Sequence, residues 1–249
     1  MSLLEEITPA PRRVMTIFYL IDSSGSMHGT KIGTVNSAME ECIPLLKEVA
    51  QANDDAEIKV AIMQFSSGFE WVTPQNGPVG LDQLFWRDVD AQGLTDFGAA
   101  LKELDKRLSR NEYLKSQTGA YAPVILLLSD GAPTDDWESA LNKIKQNNWF
   151  KHAIKIAIDI ESGSDRDVLA AFTGNYEAIL DAKDKSTLKK MIHKVSVRAS
   201  EFQSHSKAAN DGLLSPEEDS AEIVKDVLTS IENENGASVG SNDADWGEW

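Results

Sequence analysis

The sequence predicts an α/β fold: a doubly wound, mostly parallel central sheet with one antiparallel edge strand and helices on both faces. Two observations lead there. First, "VMTIFYLI" (Val14 to Ile21), "IKVAIMQF" (Ile58 to Phe65) and "APVILLLS" (Ala122 to Ser129) are apolar runs of strand length, each closed by a polar turn signal. Second, helical stripes lie between them, and strands alternating with helices build a parallel sheet through right-handed crossovers.

The elements follow in order. From Lys31 to Ala52, Ile32, Val35, Met39, Ile43, Leu46 and Val49 recur every three or four residues and define one helical face. Pro44 interrupts this stripe, which predicts a kink or two abutting helices. Phe69 to Trp86 is rich in aromatics, Gly and Pro and reads as an antiparallel excursion at the sheet edge. Leu94 to Leu108 reads as a helix with Phe97, Leu101, Leu104 and Leu108 on one side, and "AIKIAIDI" (Ala153 to Ile160) as a fourth strand nearer an edge. Asp136 to Gln146 and Asp165 to Phe172 are shorter helices, and Lys183 to Ser200 closes the domain with Leu188, Ile192 and Val195 inward.

The organisation expected is an N-terminal extension over 1–13, one domain over 14–200 and an acidic tail over 201–249. The tail holds twelve acidic residues against two lysines and so carries −10 of the formal net charge of −16. Within it "SPEEDSAEIVKDVLTSIENE" has a capping pattern and apolar Ile223, Val224, Leu228 and Ile231, enough for a helix near 216–233, with disorder expected beyond. Trp246 and Trp249 close the tail, and two tryptophans among charges mark a candidate partner-binding hook.

Composition narrows function. The chain of 249 residues has 41% hydrophobic and 26% charged residues, as ordinary globular proteins do, and no run long enough to span a membrane. Its acidity repels phosphate backbones and anionic lipid, which argues against nucleic acid and membrane partners. One cysteine, Cys42, admits no internal disulfide, and the N-terminus lacks a signal-peptide pattern, so the expected location is the cytoplasm.

The chemistry lies where the apolar runs stop. "YLIDSSGSMH" ends a strand at Asp22, which is expected at its exposed carboxyl end, where open α/β sheets keep binding sites. Asp22, Ser24 and Ser26 follow the first strand, Thr95 and Asp96 open a helix after Gly93, and Asp130 follows "VILLLS". Asp22, Ser24, Ser26, Thr95 and Asp130 supply two carboxylates and three hydroxyls. Such hard oxygen donors suit Mg²⁺, Ca²⁺ or Mn²⁺ and not a structural zinc site. Neither Ser24 nor Ser26 lies in the G-x-S-x-G elbow that a serine hydrolase would need, and neither nucleotide-binding loop, G-x-G-x-x-G or G-x-x-x-x-G-K-[ST], occurs. A metal-dependent phosphoryl-transfer enzyme is the alternative, since an aspartate after the first strand can accept a phosphoryl group, although position 24 is Ser and not a second acid. Asp135 and Asp136, after Pro133, read most simply as caps of the helix starting near Trp137.

These three segments, in this order, resemble the metal-ion-dependent adhesion site of the von Willebrand factor type A (VWA) domain, over residues 14–200. The resemblance implies Asp22, Ser24, Ser26, Thr95 and Asp130 as metal-site residues; Asp96 and Asp135, close to them in sequence, are candidates to support them from outside the motif. It implies no catalytic residue. The phrases "FYLIDSSGSM", "VAIMQFSS" and "LLLSDGAPTDDW" are similar to the bacterial TerY-like group associated with tellurite resistance and stress response. That group implies an intracellular scaffold accompanying a PP2C-type phosphatase and a serine/threonine kinase. The VWA resemblance also implies a cation, Mg²⁺ first, left electrophilic enough to capture a partner's acidic side chain. "GLTDFGAAL" departs from the group, with Asp96 where a small or apolar residue is usual. A further alternative is a vestigial metal site on a scaffold that acts through its tail.

Overall fold

Ten residues, Arg13–Asp22, form the central strand β1, and all but the first are buried because helices cover both faces of the sheet. The computed structural model describes residues 12–54, 56–160, 165–205 and 215–239. Trp246 and Trp249 and most of the N-terminal extension lie outside them. After β1 come α1 (Thr30–Ala52), β2 (Ala56–Ser66), β3 (Gly68–Trp71), β4 (Val79–Gly80), α2 (Phe97–Arg107), β5 (Val124–Ser129) and α3 (Trp137–Ile144). The chain continues through α4 (Asn148–Lys151), β6 (Ile154–Ile160), α5 (Arg166–Thr173), β7 (Ile179–Ala182), α6 (Lys185–His205) and α7 (Pro216–Val239).

The strand order is β3-β2-β1-β5-β6-β7, with β4 also on β2. All neighbours are parallel except β3 and β4, which both run antiparallel to β2. The chain winds from β1 to β2 on one side, then returns to β5 on the other. The carboxyl ends of β1 and β5 therefore flank the topological switch point, where the crossovers diverge and leave a crevice. Alternating residues of β1 feed two cores: Met15, Ile17, Tyr19 and Ile21 join buried residues of α1, α6 and α7, while Phe18 and Leu20 join those of α2, α3, α4 and α5.

Several sequence expectations are corrected. β6 is interior, buried along its whole length, because β7 pairs with its far side. β7 is four residues long and has no apolar run of its own to announce it. α1 is one helix through Pro44, not two abutting ones. Pro44 and Glu40 are both exposed, so the missing helical hydrogen bond falls on the solvent side of α1. α2 begins at Phe97, leaving Leu94 to Asp96 in a loop, with Leu94 57% exposed.

α7 caps its own start: Ser215 N–H donates to Glu218 Oε2 at 2.7 Å, and Glu218 N–H donates to Ser215 Oγ at 3.2 Å. It packs Ile223, Val224, Val227 and Ile231 into the core shared with α6, and its backbone stays helical through 235–239. Cys42 is buried, and burial pushes its thiol up to about 12, an inert thiol.

Candidate metal centre

β1 and β5 end side by side, Ile21 opposite Leu128, which sets the residues that follow each strand against one another. Asp22 is the last residue of β1, as its position after the apolar run predicts, yet it is fully buried and not exposed. The loops after β1 and β5 fold over it. Ser24 N–H donates to Asp22 Oδ1 at 2.9 Å, and Ser129 Oγ donates to Asp22 Oδ2 at 2.7 Å. Ser129, as the last residue of an apolar strand, carries no sequence signal of this contact.

From this floor a chain of oxygens leads outward. Ser24 Oγ and Ser26 Oγ share a hydrogen bond of 3.0 Å, and Ser26 Oγ donates to Asp130 Oδ1 at 2.8 Å. Ser24 and Asp130 are buried while Ser26 is exposed, so the cluster opens to solvent on the Ser26 side. A Cβ at Gly131 would lie 3.3 Å from Ser26 Oγ, which would have to give by a few tenths of an ångström, and 3.9 Å from Asp22 Oδ2. Burial pushes the Asp22 carboxyl above its ordinary value; hydrogen bonds from Ser24 and Ser129 oppose that, and the charge of Asp130 adds to it.

Thr95 is delivered by a separate loop. Gly25 N–H donates to Gly93 O at 3.1 Å and Gln92 N–H to Ser23 O at 2.8 Å, which lays residues 92–95 along the first loop. Thr95 is buried, its N–H donating to Thr134 Oγ1 at 3.0 Å. The hydrogen bonds that join Asp22, Ser24, Ser26 and Asp130 do not include its hydroxyl.

Asp96 and Asp135 brace these loops. Asp96 Oδ2 accepts from Gly68 N–H at 2.8 Å and pins the β2–β3 turn. Asp135 does not cap the helix it precedes: its two oxygens accept from Gly98 and Ala99, each at 2.9 Å, at the start of α2. Asp136 alone caps α3, through Ser139 N–H. Asp135 thus ties the Asp130 loop to the helix that follows Thr95.

The donors are hard oxygens, two of them carboxylates, around a glycine-lined opening, and this set fits a divalent cation. Among the described residues, no group of three or more His, Cys, Asp or Glu side chains could hold a metal. A cation here would depend on the serine hydroxyls.

The family model for the von Willebrand factor type A domain matches residues 16–206. The chain belongs to this family. No curated protein matches the chain significantly. Several solved structures share the VWA fold. The pilus adhesin SpaC of Lactobacillus rhamnosus GG aligns with a TM-score of 0.58 at 13% identity, covering 78% of this chain and 31% of that one. A von Willebrand factor type A protein from Catenulispora acidiphila gives 0.55 at 16% identity, covering 76% and 43%. Proximal thread matrix protein 1 from the mussel byssus, with a zinc-occupied MIDAS motif, gives 0.55 at 17% identity, covering 76% and 48%. This chain thus spans less than half the length of each. At these identities the likeness is one of fold. Among the described residues, no helix of this VWA protein is long and apolar enough to cross a membrane.

Proposed function

We propose that this chain is a divalent-metal-dependent protein-interaction module that captures an acidic side chain of a partner. The observation that carries the reading is the hydrogen-bonded cluster of Asp22, Ser24, Ser26 and Asp130 at the switch point, open at Ser26. In this reading Ser24, Ser26 and Thr95 offer hydroxyl ligands. Asp22 and Asp130 supply the balancing charge, and Asp96 and Asp135 hold the loops. With hydroxyls as direct ligands and at least one aspartate acting through water, few anionic ligands would touch the cation, so that a partner's Asp or Glu completes its shell.

Mg²⁺ is the ion proposed, with Ca²⁺ and Mn²⁺ as alternatives. The mussel protein's zinc-occupied MIDAS motif supports a metal at this place in the fold, and the adhesin SpaC supports an interaction role. The chain is read as a scaffold with no catalytic residue. Its phrase-level similarity to the TerY-like group supports a cytoplasmic setting linked to tellurite or other stress, with a PP2C-type phosphatase and a serine/threonine kinase as partners. The domain would occupy 14–200, and Trp246 and Trp249 of the acidic tail would give a second contact.

The test is calorimetric titration of Mg²⁺, Ca²⁺ and Mn²⁺ into chelator-treated protein, with Asp22→Ala and Thr95→Ala alongside, followed by pull-down of the phosphatase and kinase with and without chelator. Saturable binding lost in both variants and partners released by chelator are expected. No saturable binding by the wild type, or partners indifferent to chelator, would overturn the reading. Turnover of a phosphoryl substrate that disappears in Asp22→Ala would establish the enzymatic alternative.

A further inference from the structure

The metal-centre oxygens have a neighbour that the sequence motif does not include. Lys31, the second residue of α1, places Nζ 2.5 Å from Asp130 Oδ2. Asp130 is thereby engaged on both oxygens, by Ser26 on Oδ1 and by Lys31 on Oδ2. Its side chain is fully buried, whereas that of Lys31 is 23% exposed.

The position of this lysine runs against local preference. The first turn of a helix carries the positive end of the macrodipole and favours acidic side chains. α1 has none there, and its N-terminal cap, Gly29, has no side chain to cap with. The favourable term for Lys31 is tertiary, a charge-assisted hydrogen bond to a buried carboxylate 99 residues away.

From this geometry we infer that Lys31 is an internal competitor of the divalent cation for Asp130 and sets the affinity of the metal centre. The inference rests on the proposed function of the same site. With the ammonium in place, the formal charge of Asp22, Asp130 and Lys31 together is −1; without it the two carboxylates present −2. A divalent ion drawing on Asp130 meets the ammonium as a like charge a few ångströms away and must displace it. A site built this way binds its metal less tightly than its carboxylates allow.

The experiment titrates Mn²⁺ alone into chelator-treated full-length protein by calorimetry, comparing wild type, Lys31→Met and Lys31→Arg. Lys31→Met keeps the aliphatic stem without the charge and is expected to bind about tenfold more tightly, the loss of one charge-assisted hydrogen bond expressed as affinity. Lys31→Arg should stay near the wild type. In the wild type, acetylation of Lys31 by an N-hydroxysuccinimide ester, read by mass spectrometry, should rise on adding Mn²⁺ while that of exposed Lys102 on α2 does not. Lys31→Met binding no tighter than wild type overturns the inference and leaves the proposed function standing. Should Lys31→Met fail to fold, the labelling decides, and labelling unchanged by Mn²⁺ overturns it. Binding by Lys31→Met but not by wild type supports it in its strongest form. Absence of binding in both removes the inference and the proposed function together.

Discussion

Two lysine–carboxylate pairs lie at opposite ends of the sheet, and they do different things. At the amino end of β6, Lys155 is nearly buried, its Nζ donating to Phe150 O at 3.2 Å and Ala153 O at 2.9 Å, with Glu217 Oε1 of α7 at 3.7 Å. Its own N–H donates to Ser220 Oγ, also on α7, at 3.2 Å. At the carboxyl end, Lys31 pairs with Asp130, which also serves the oxygen cluster. Two backbone carbonyls and a carboxylate satisfy the ammonium of Lys155, so that pair fastens a helix. The partner of Lys31 belongs to a set able to hold another cation, so that pair is exchangeable. The surroundings of a buried carboxylate or ammonium, more than the pairing itself, decide whether it is a fastener or a site.

Four measurements break or sharpen this contrast. Ending the chain at residue 214 removes Ile223, Val224, Val227 and Ile231 from the core. Four buried aliphatic side chains at about 1.5–3 kcal/mol each predict a fall in the calorimetric melting temperature of about 10 °C or more. An unchanged midpoint would show that α7 fastens nothing.

Next in size, Lys155→Ala leaves Glu217 and two carbonyls without their donor. Urea unfolding should show a loss of about 2–4 kcal/mol. Added Mn²⁺ should not restore it, because the site lies at the other end of the sheet.

Lys31→Met strips Asp130 of its counter-ion and is expected to cost about 1–2 kcal/mol by the same assay. Here Mn²⁺ should restore stability, by binding the folded state preferentially. Equal responses of the two lysine variants to Mn²⁺ would erase the distinction between fastener and site.

The smallest effect concerns pH. Asp219, in the first turn of α7, is pushed up to about 6 by burial first and then by Glu222, Glu218 and Glu217. Its folded value exceeds its unfolded one, so the folded state holds the extra proton between the ordinary carboxylate range and about 6. Its contribution to stability therefore falls as pH rises through that window. Asp219→Asn should raise the melting temperature at pH 7.5, by no more than about 2 °C because the residue is partly exposed, and leave it unchanged at pH 4. A parallel shift at both pH values would assign the effect to something other than this charge.

What could be read in advance follows from the range of each signal. The strands around Val14 to Ile21, Ile58 to Phe65 and Ala122 to Ser129, and the stripes of α1 and α2, are written in neighbouring residues, because burial imposes its period locally. The start of α2 is not legible locally: Leu94 fits the stripe by spacing, while Asp96 and Asp135 stop the helix through contacts with Gly68, Gly98 and Ala99. β6 reads as an edge strand because its alternation is written locally and its neighbour β7 is not. Lys31 on a helix reads as a solvated charge, and nothing within ten residues of it reveals Asp130.

The sequence by itself determined where strands end, and so which oxygen-bearing residues stand at those ends: Asp22, Ser24 and Ser26 after one, Asp130 after another. Only the tertiary structure decided that they meet, that Ser129 braces Asp22, that Asp135 reaches across to α2 and that Lys31 answers Asp130. The Ser26–Asp130 and Ser129–Asp22 bonds join residues 104 and 107 positions apart. Contacts of that span depend on which strands lie side by side, and hydrophobic periodicity, which reports only on which face of its own element a residue lies, does not carry strand order.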